Sequence, residues 1–167
     1  MGPPPANLAT AGRANSNGIS CLYLASDEIT TLHEIRARDL DRISIGRFEA
    51  RYDLRLIDLA ELDKISPFRV SDVFTFEWLA LNIPILKKIN NEIAKPLRRQ
   101  DSDLDYLPSQ YIADFIKSLG YDGIRYKSTL NRDGMNYAIF DKKKLKCIDV
   151  KHIQVMGVTF DFNYLDN

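Results

Sequence analysis

Five side chains that could do chemistry lie in two distant parts of the chain. Arg13, Tyr23 and Glu34 surround the first apolar run, and Ser128 and Asn136 flank a late turn. A guanidinium presents a planar fork of donors that matches phosphate groups. A carboxylate can stabilise positive charge that develops in a transition state. The set suggests a reactive site but does not identify one.

Each of these residues also has an ordinary structural interpretation. An arginine in a loop rich in Gly and Asn is commonly a surface residue, and a strand tyrosine commonly belongs to the core or its rim. Glu34 and Arg38 are spaced i,i+4, which is typical of an ion pair on an exposed helix face. Residue types and spacing alone therefore leave both interpretations open.

Local patterns predict the elements that would position these side chains. The apolar run 19–25 predicts a buried strand. Ser26 can cap a following helix that extends to residue 38, because acidic residues occupy its first turn. Residues 124–126 and 136–140 predict two further strands on either side of a turn that contains glycine.

The remaining elements predict an α+β fold. Strands are expected at 43–48 and 54–59, and a closing pair of strands at 147–155 and 158–164. Residues 66–100 predict a helical insertion in the middle of the chain. Helices and strands do not alternate, so we expect a mixed or antiparallel sheet flanked by helices rather than a doubly wound fold.

Two proline positions and one glycine refine the predicted helices. Pro67 and Pro84 are each expected near the start of a helix in the middle region, since proline is favoured in the first turn. Another helix is predicted at 106–119, with Gly120 terminating it. Its periodicity predicts a buried face formed by Tyr111, Ile112, Phe115, Ile116 and Leu119.

Composition and charge exclude several classes of protein. The 167 residues fit a single domain, 1–167, and 23 basic residues balance 23 acidic residues. A nucleic-acid-binding domain usually has a basic excess, so direct nucleic-acid binding is not expected. No run approaches the roughly 18 apolar residues of a membrane span, and the N-terminus lacks the features of a signal peptide. We therefore expect a cytoplasmic protein without membrane contact.

Metal-binding residues are sparse in the sequence. Cys21 and Cys147 are the only cysteines, and His33 and His152 are the only histidines. A structural zinc site of the usual type needs a second cysteine or histidine pair at short spacing, which is missing. We expect buried, unreactive thiols and no metal site.

Two long segments, separated in the chain, carry the most specific motifs of the sequence. The first segment reads GRANSNGISCLYLA at 12–25 and continues with Thr30, Thr31 and residues 34–36. The second reads YLPSQYI at 106–112, GYDGI at 120–124, YKS at 126–128 and GMNYAIFD at 134–141. In their order and intervals these segments resemble the RES domain family, which is named for its Arg, Glu and Ser, over most of the chain.

The resemblance implies a fold, a substrate and partners. The fold is expected to be similar to that of ADP-ribosyltransferases, with NAD as the substrate and no bound cofactor. RES proteins are toxins of bacterial toxin–antitoxin pairs that deplete NAD by hydrolysis or phosphorolysis, so inorganic phosphate is a candidate co-substrate. The cognate antitoxin carries a helix-turn-helix DNA-binding domain and a C-terminal segment that occludes the active site. A homo-oligomer within the complex with the antitoxin is also compatible with the resemblance.

The same resemblance implies roles for individual residues. Arg13, Glu34 and Ser128 are expected to be catalytic, and Arg13, Tyr23, Ser128 and Asn136 to bind NAD. Tyr23 would stack on the nicotinamide ring or hydrogen-bond the nucleotide. Ser128 would orient Glu34 or bind the ribose end, and Asn136 would also support the turn. We expect cations, Arg13 foremost, to be concentrated at the nucleotide cleft, with acidic residues elsewhere.

Two alternative functions and one departure from the family pattern stay open. The same residues would serve a protein ADP-ribosyltransferase, because only the acceptor of the ADP-ribose differs. The chain could instead be a non-catalytic module that binds a nucleotide or the antitoxin. RES proteins usually have an N-terminal strand before the Pro-rich stretch at which this sequence begins. Whether the domain here lacks that strand is left open.

Overall fold

Two β-sheets and three α-helices make up the part of the chain that the computed structural model describes, residues 1–66, 75–95 and 103–159. The strands are β1 (Leu22–Ala25), β2 (Arg42–Ala50), β3 (Leu56–Asp58), β4 (Gly123–Lys127), β5 (Met135–Ile139) and β6 (Leu145–Gln154). The helices are α1 (Glu28–Glu34), α2 (Phe76–Ala94) and α3 (Leu107–Ser118). In these ranges no helix is both long and apolar enough to cross a membrane.

The larger sheet has four strands in the order β1-β5-β4-β3. β5 pairs antiparallel with both β1 and β4, whereas β3 pairs parallel with β4. The smaller sheet is the antiparallel pair β2 and β6, whose register shifts between Arg47 and Phe48. The predicted α+β class with a mixed sheet is therefore confirmed.

The core lies between the two central strands and the helices that cover them. Ile124 of β4 and Ala138 of β5 are completely buried. Ala113 and Ile116 of α3 belong to the same apolar cluster, as does Ile93 of α2. Burial on this scale stabilises the sheet because each isoleucine side chain removed from water contributes about 1.5–3 kcal/mol.

The buried face of α3 differs from the predicted one. Tyr111, Phe115 and Leu119 are exposed by 77%, 57% and 53%, so the prediction was wrong for these three side chains. The helix instead buries Ser109, Gln110, Ala113 and Ile116. The side-chain amide nitrogen of Gln110, Nε2, donates to the carbonyl oxygens of Gly12 and Asn15 at 3.0 Å each. These hydrogen bonds bury a polar position of the helix, which hydrophobic periodicity does not register.

Several predicted boundaries also change. Helix α1 begins after Asp27, whose side chain accepts from the Thr30 amide, so Asp27 and not Ser26 is the capping residue. The helix ends at Glu34 rather than at residue 38, because Arg36 adopts a φ of 52°, which a helix cannot contain. Gly120, with φ of 81°, follows α3 as predicted.

The middle and the end of the chain also differ from the prediction. Pro84 lies inside the single helix α2 instead of starting a helix of its own. Pro67, with the rest of 67–74, and residues 96–102 lie outside the described residues. Residues 158 and 159 form no strand, residues 160–167 lie outside the description, and β6 pairs with β2.

The two cysteines are free and differ in exposure. Cys21 is buried, and its thiol donates to the carbonyl oxygen of Ile139 at 3.5 Å. Burial raises the pKa of the Cys21 thiol to about 12, so the thiol stays protonated at neutral pH. Cys147 is half-buried on β6.

Because Gly123 lies close to the neighbouring strand, we expect this position not to tolerate a larger residue. A Cβ atom at Gly123 would collide with the backbone carbonyl oxygen of Ala138. Gly123→Ala is therefore expected to lower the free energy of unfolding by about 1–3 kcal/mol. Urea titration followed by circular dichroism measures this change.

Gly157 provides the matched control, since a Cβ atom there meets nothing within 4 Å. Gly157→Ala should leave the free energy of unfolding within about 0.5 kcal/mol of the wild type. Equal stability of the two variants would contradict the close approach of β4 and β5.

Candidate active site

A cavity of about 770 Å³ opens beside β1 and α1. Its walls include Arg13, Tyr23, Glu34, Tyr126 and Asn136. The smaller sheet, β2 and β6, lines the cavity on another side. Four of the five residues proposed from the sequence thus share one cavity, and the fifth, Ser128, lies directly behind Glu34.

The carboxylate of Glu34 is held by two side chains that lie about a hundred residues further along the chain. Its Oε1 accepts from Oγ of Ser128 at 2.7 Å and from Nδ2 of Asn136 at 2.6 Å. Hydrogen bonds to an ionised carboxylate are stronger than those between neutral groups. The expected i,i+4 pair with Arg38 does not form, because α1 ends at Glu34.

Ser128 is buried and serves Glu34 from the loop that follows β4. Its Oγ accepts from the backbone amides of Leu130 at 3.2 Å and Asn131 at 3.0 Å. Since two N–H groups point at this oxygen, its single proton is directed to the carboxylate. Of the two roles considered for Ser128, the geometry matches the orientation of Glu34.

Tyr23 fixes the loop that carries Arg13. Its hydroxyl donates to Oδ1 of Asn15 at 2.7 Å and accepts from the amide of Ala14 at 2.8 Å. Burial of the hydroxyl end raises the pKa of Tyr23, although the residue as a whole is 41% exposed. A Cβ atom at Gly12 would lie 2.7 Å from this hydroxyl oxygen. The ring therefore faces the cavity while the hydroxyl is bound to protein.

Arg13 lies against Tyr126, a residue that the sequence interpretation had not selected. The guanidinium carbon is 5.9 Å from the centre of the Tyr126 ring, within cation–π range. Tyr126 is buried, and burial raises the pKa of its phenol to about 12, with the nearby Arg13 opposing that rise. The signal was present in the sequence, because Tyr126 belongs to the YKS segment that carries the family resemblance.

Sheet register brings these residues together. Asn136 of β5 lies opposite Ala25 of β1 on one side and opposite Tyr126 of β4 on the other. Helix α1 follows β1 after two residues, so Glu34 returns over the edge of the sheet to Asn136. Strand β5 therefore links both halves of the site.

The charges around the cavity are mixed. Basic and acidic residues both line it: Arg13, Arg47, Lys151, Asp27, Glu28, Glu34 and Asp149. Lys151 and Glu28 form an ion pair at 2.9 Å. The expected concentration of cations at the cleft was therefore wrong. Within the described ranges, no three His, Cys, Asp or Glu side chains cluster in a way that could hold a metal ion.

The fold and the cavity together describe an α+β protein with a carboxylate held at the wall of an open cleft. The sequence model of the RES domain matches residues 1–163. The chain therefore belongs to the RES domain family. No curated protein and no solved structure matches it significantly.

The hydroxyl of Tyr23 predicts a measurable contribution to stability. Tyr23→Phe leaves the amide of buried Ala14 and Oδ1 of buried Asn15 without their partner. We expect the free energy of unfolding to fall by about 1–3 kcal/mol, the cost of leaving such groups unsatisfied. Tyr111→Phe, at a 77% exposed position, is the control and should change little in the same urea titration. Equal losses in both variants would contradict the bonding of the Tyr23 hydroxyl.

Asp27 predicts a pH dependence of folding. Hydrogen bonds from the Thr30 amide, the Thr30 hydroxyl and the Ser26 hydroxyl lower its pKa from 3.8 to about 2. Because the pKa is lower in the folded state, the stabilisation is complete above about pH 5 and is lost as the pH falls from about 4 to about 2. In urea titrations, the difference in the free energy of unfolding between the wild type and Asp27→Asn should shrink over that window. A difference that stays constant from pH 5 to pH 2 would show that the Asp27 carboxylate does not accept these hydrogen bonds.

Proposed function

We propose that this protein cleaves the bond between nicotinamide and ribose in NAD and so consumes NAD. The observation that supports it most directly is the Glu34 carboxylate, held at the cavity wall by Ser128 and Asn136. Membership of the RES domain family, which is known in toxin–antitoxin-like contexts, agrees with this proposal.

The reaction needs an anionic group beside the ribose. When the bond from C1′ to the pyridinium nitrogen breaks, its electron pair goes to that nitrogen, so nicotinamide leaves as a neutral molecule. The ribose then carries oxocarbenium character, as in glycoside hydrolysis. A fixed carboxylate stabilises this charge without having to reorganise. Among the described residues both hydrogen bonds to Glu34 end on Oε1, which leaves Oε2 to face the ribose.

The other residues of the cleft suit the binding of a dinucleotide. The guanidinium of Arg13 can bind the pyrophosphate with two parallel hydrogen bonds. The exposed ring of Tyr23 offers a face for the nicotinamide. A volume of about 770 Å³ lies within the range of pockets that bind small molecules and cofactors. NAD is thus a substrate in this proposal, and the chain's own residues need no resident cofactor.

The acceptor of the ADP-ribose is water or inorganic phosphate in this proposal. Water attacks C1′ and releases a proton and ADP-ribose, whereas phosphate attack gives ADP-ribose carrying a phosphate on that carbon. An enzyme that consumes NAD harms the cell that makes it. We therefore propose a cytoplasmic toxin, neutralised by an antitoxin that has a helix-turn-helix domain and covers the cleft.

Glu34→Gln provides the central test. Wild-type protein should release nicotinamide from NAD, as measured by chromatography with and without phosphate. The substitution keeps the size of the side chain but removes its charge, so kcat should fall by about 100-fold or more. Arg13→Ala should raise KM more than it lowers kcat, since it removes a binding contact.

The control is Glu61→Gln, an exposed glutamate that pairs with Lys64 away from the cavity. Its turnover should match that of the wild type. Folded wild-type protein that leaves NAD intact in both buffers would overturn the proposal, and NAD binding without turnover would then indicate a non-catalytic module. A mass increase of one ADP-ribose on a protein in the reaction would indicate protein ADP-ribosylation.

A further inference from the structure

Helix α1 and the loop 128–134 meet at a second point behind Glu34. Thr30 and Glu34 are four residues apart on α1, so they lie one above the other on the same face of the helix. Glu34 accepts a hydrogen bond from Ser128, and Thr30 accepts one from Asn131 of the same loop. The loop is therefore attached to the helix by two parallel contacts, one turn apart.

The hydroxyl of Thr30 is fully used in this contact. Thr30 is completely buried, and its Oγ1 accepts from Nδ2 of Asn131 at 2.8 Å. The same hydroxyl donates to Oδ2 of Asp27 at 2.7 Å. Asp27 also accepts the Thr30 amide through Oδ1 at 2.7 Å. The hydrogen bonds run without a gap from the start of the helix to the loop.

The backbone of the loop packs directly on the same threonine. A Cβ atom at Gly134 would collide with the Thr30 side chain. The amide of Gly134 donates to the carbonyl oxygen of Asn131 at 3.0 Å, which closes the turn. Glycine is required here because the loop approaches the helix more closely than a side chain would allow.

Asn131 connects this contact to the carboxylate. Its side chain bonds Thr30, while its backbone amide donates to Oγ of Ser128. The position of Asn131 therefore sets the direction of the proton that Ser128 gives to Glu34. Glu34 is the last residue of its helix, where helices fray most readily, so its own backbone does not fix its side chain.

We propose that Thr30 and Asn131 are positioning residues for Glu34. They touch no substrate. They hold the loop 128–134 in the position at which Ser128, together with Asn136 of β5, donates a hydrogen bond to the carboxylate. The kinetic part of this inference rests on the proposed NAD cleavage, whereas the geometric part does not.

Four variants test the kinetic part. Thr30→Val removes the hydroxyl at constant shape, and Asn131→Ala removes the other half of the bond. Each should lower kcat for nicotinamide release by between about 10-fold and 100-fold, because a small displacement of a reacting group has this effect. KM should change by less than about threefold, since substrate contacts remain.

Two of the four variants are matched controls. Thr30→Ser keeps the hydroxyl and should retain most of the wild-type kcat. Thr129→Val removes a hydroxyl from the same loop, where it bonds the carbonyl oxygen of Ala94 at 3.3 Å, and should be unaffected. A lower melting temperature with unchanged kcat in both Thr30→Val and Asn131→Ala would show a structural contact only and overturn the proposal.

A spectroscopic measurement tests the geometry without any turnover. The side-chain amide signal of Asn136, assigned by its loss in Asn136→Ala, reports the bond to Glu34 in ¹⁵N-labelled protein. It should shift or broaden in Thr30→Val and in Asn131→Ala but not in Thr129→Val. An unchanged signal in both variants would refute positioning, even if they are slow enzymes. A shifted signal in a protein that never cleaves NAD would retain positioning and reject the proposed function.

Discussion

The pair of hydrogen bonds that Ser128 and Asn136 give to Oε1 of Glu34 is the constraint on which the site depends. A carboxylate at a helix end is mobile unless other elements hold it. Here the donors come from the loop after β4 and from β5, so helix, loop and sheet must all be in place before the site exists. Because β5 lies between β1 and β4, the centre of the sheet is also the centre of the site.

A second set of bonds places the cation. The loop with Arg13 has no regular secondary structure of its own beyond an isolated bridge between Gly12 and Asn15. Its shape comes from the Tyr23 hydroxyl on one side and from Gln110 of α3 on the other. Carboxylate and guanidinium are therefore held by different sets of hydrogen bonds, and the guanidinium lies over the ring of Tyr126 on β4. Preorganisation of this kind lets a protein of zero net charge create a local field.

The prediction from sequence succeeded where local rules apply and failed where distant polar contacts decide. The first strand, the position of the capping turn and the glycine after α3 follow from apolar runs and from capping preferences. The predicted buried face of α3 was wrong because Gln110 donates a hydrogen bond to a backbone carbonyl nearly a hundred residues away. This arrangement leaves Tyr111 and Phe115 exposed to water. Helix α1 was predicted too long because the positive φ at Arg36 is not visible in hydrophobic periodicity.

The sequence by itself determined the chemical set: a guanidinium, a carboxylate, a hydroxyl and an amide, in an order that resembles one family. The tertiary structure decided where each of them lies and what it contacts. It put Ser128 behind Glu34, engaged the Tyr23 hydroxyl with the loop and brought Tyr126, Thr30 and Asn131 to the site. The physical reason is that these contacts join residues up to 102 positions apart, and only strand register and close packing fix such distances.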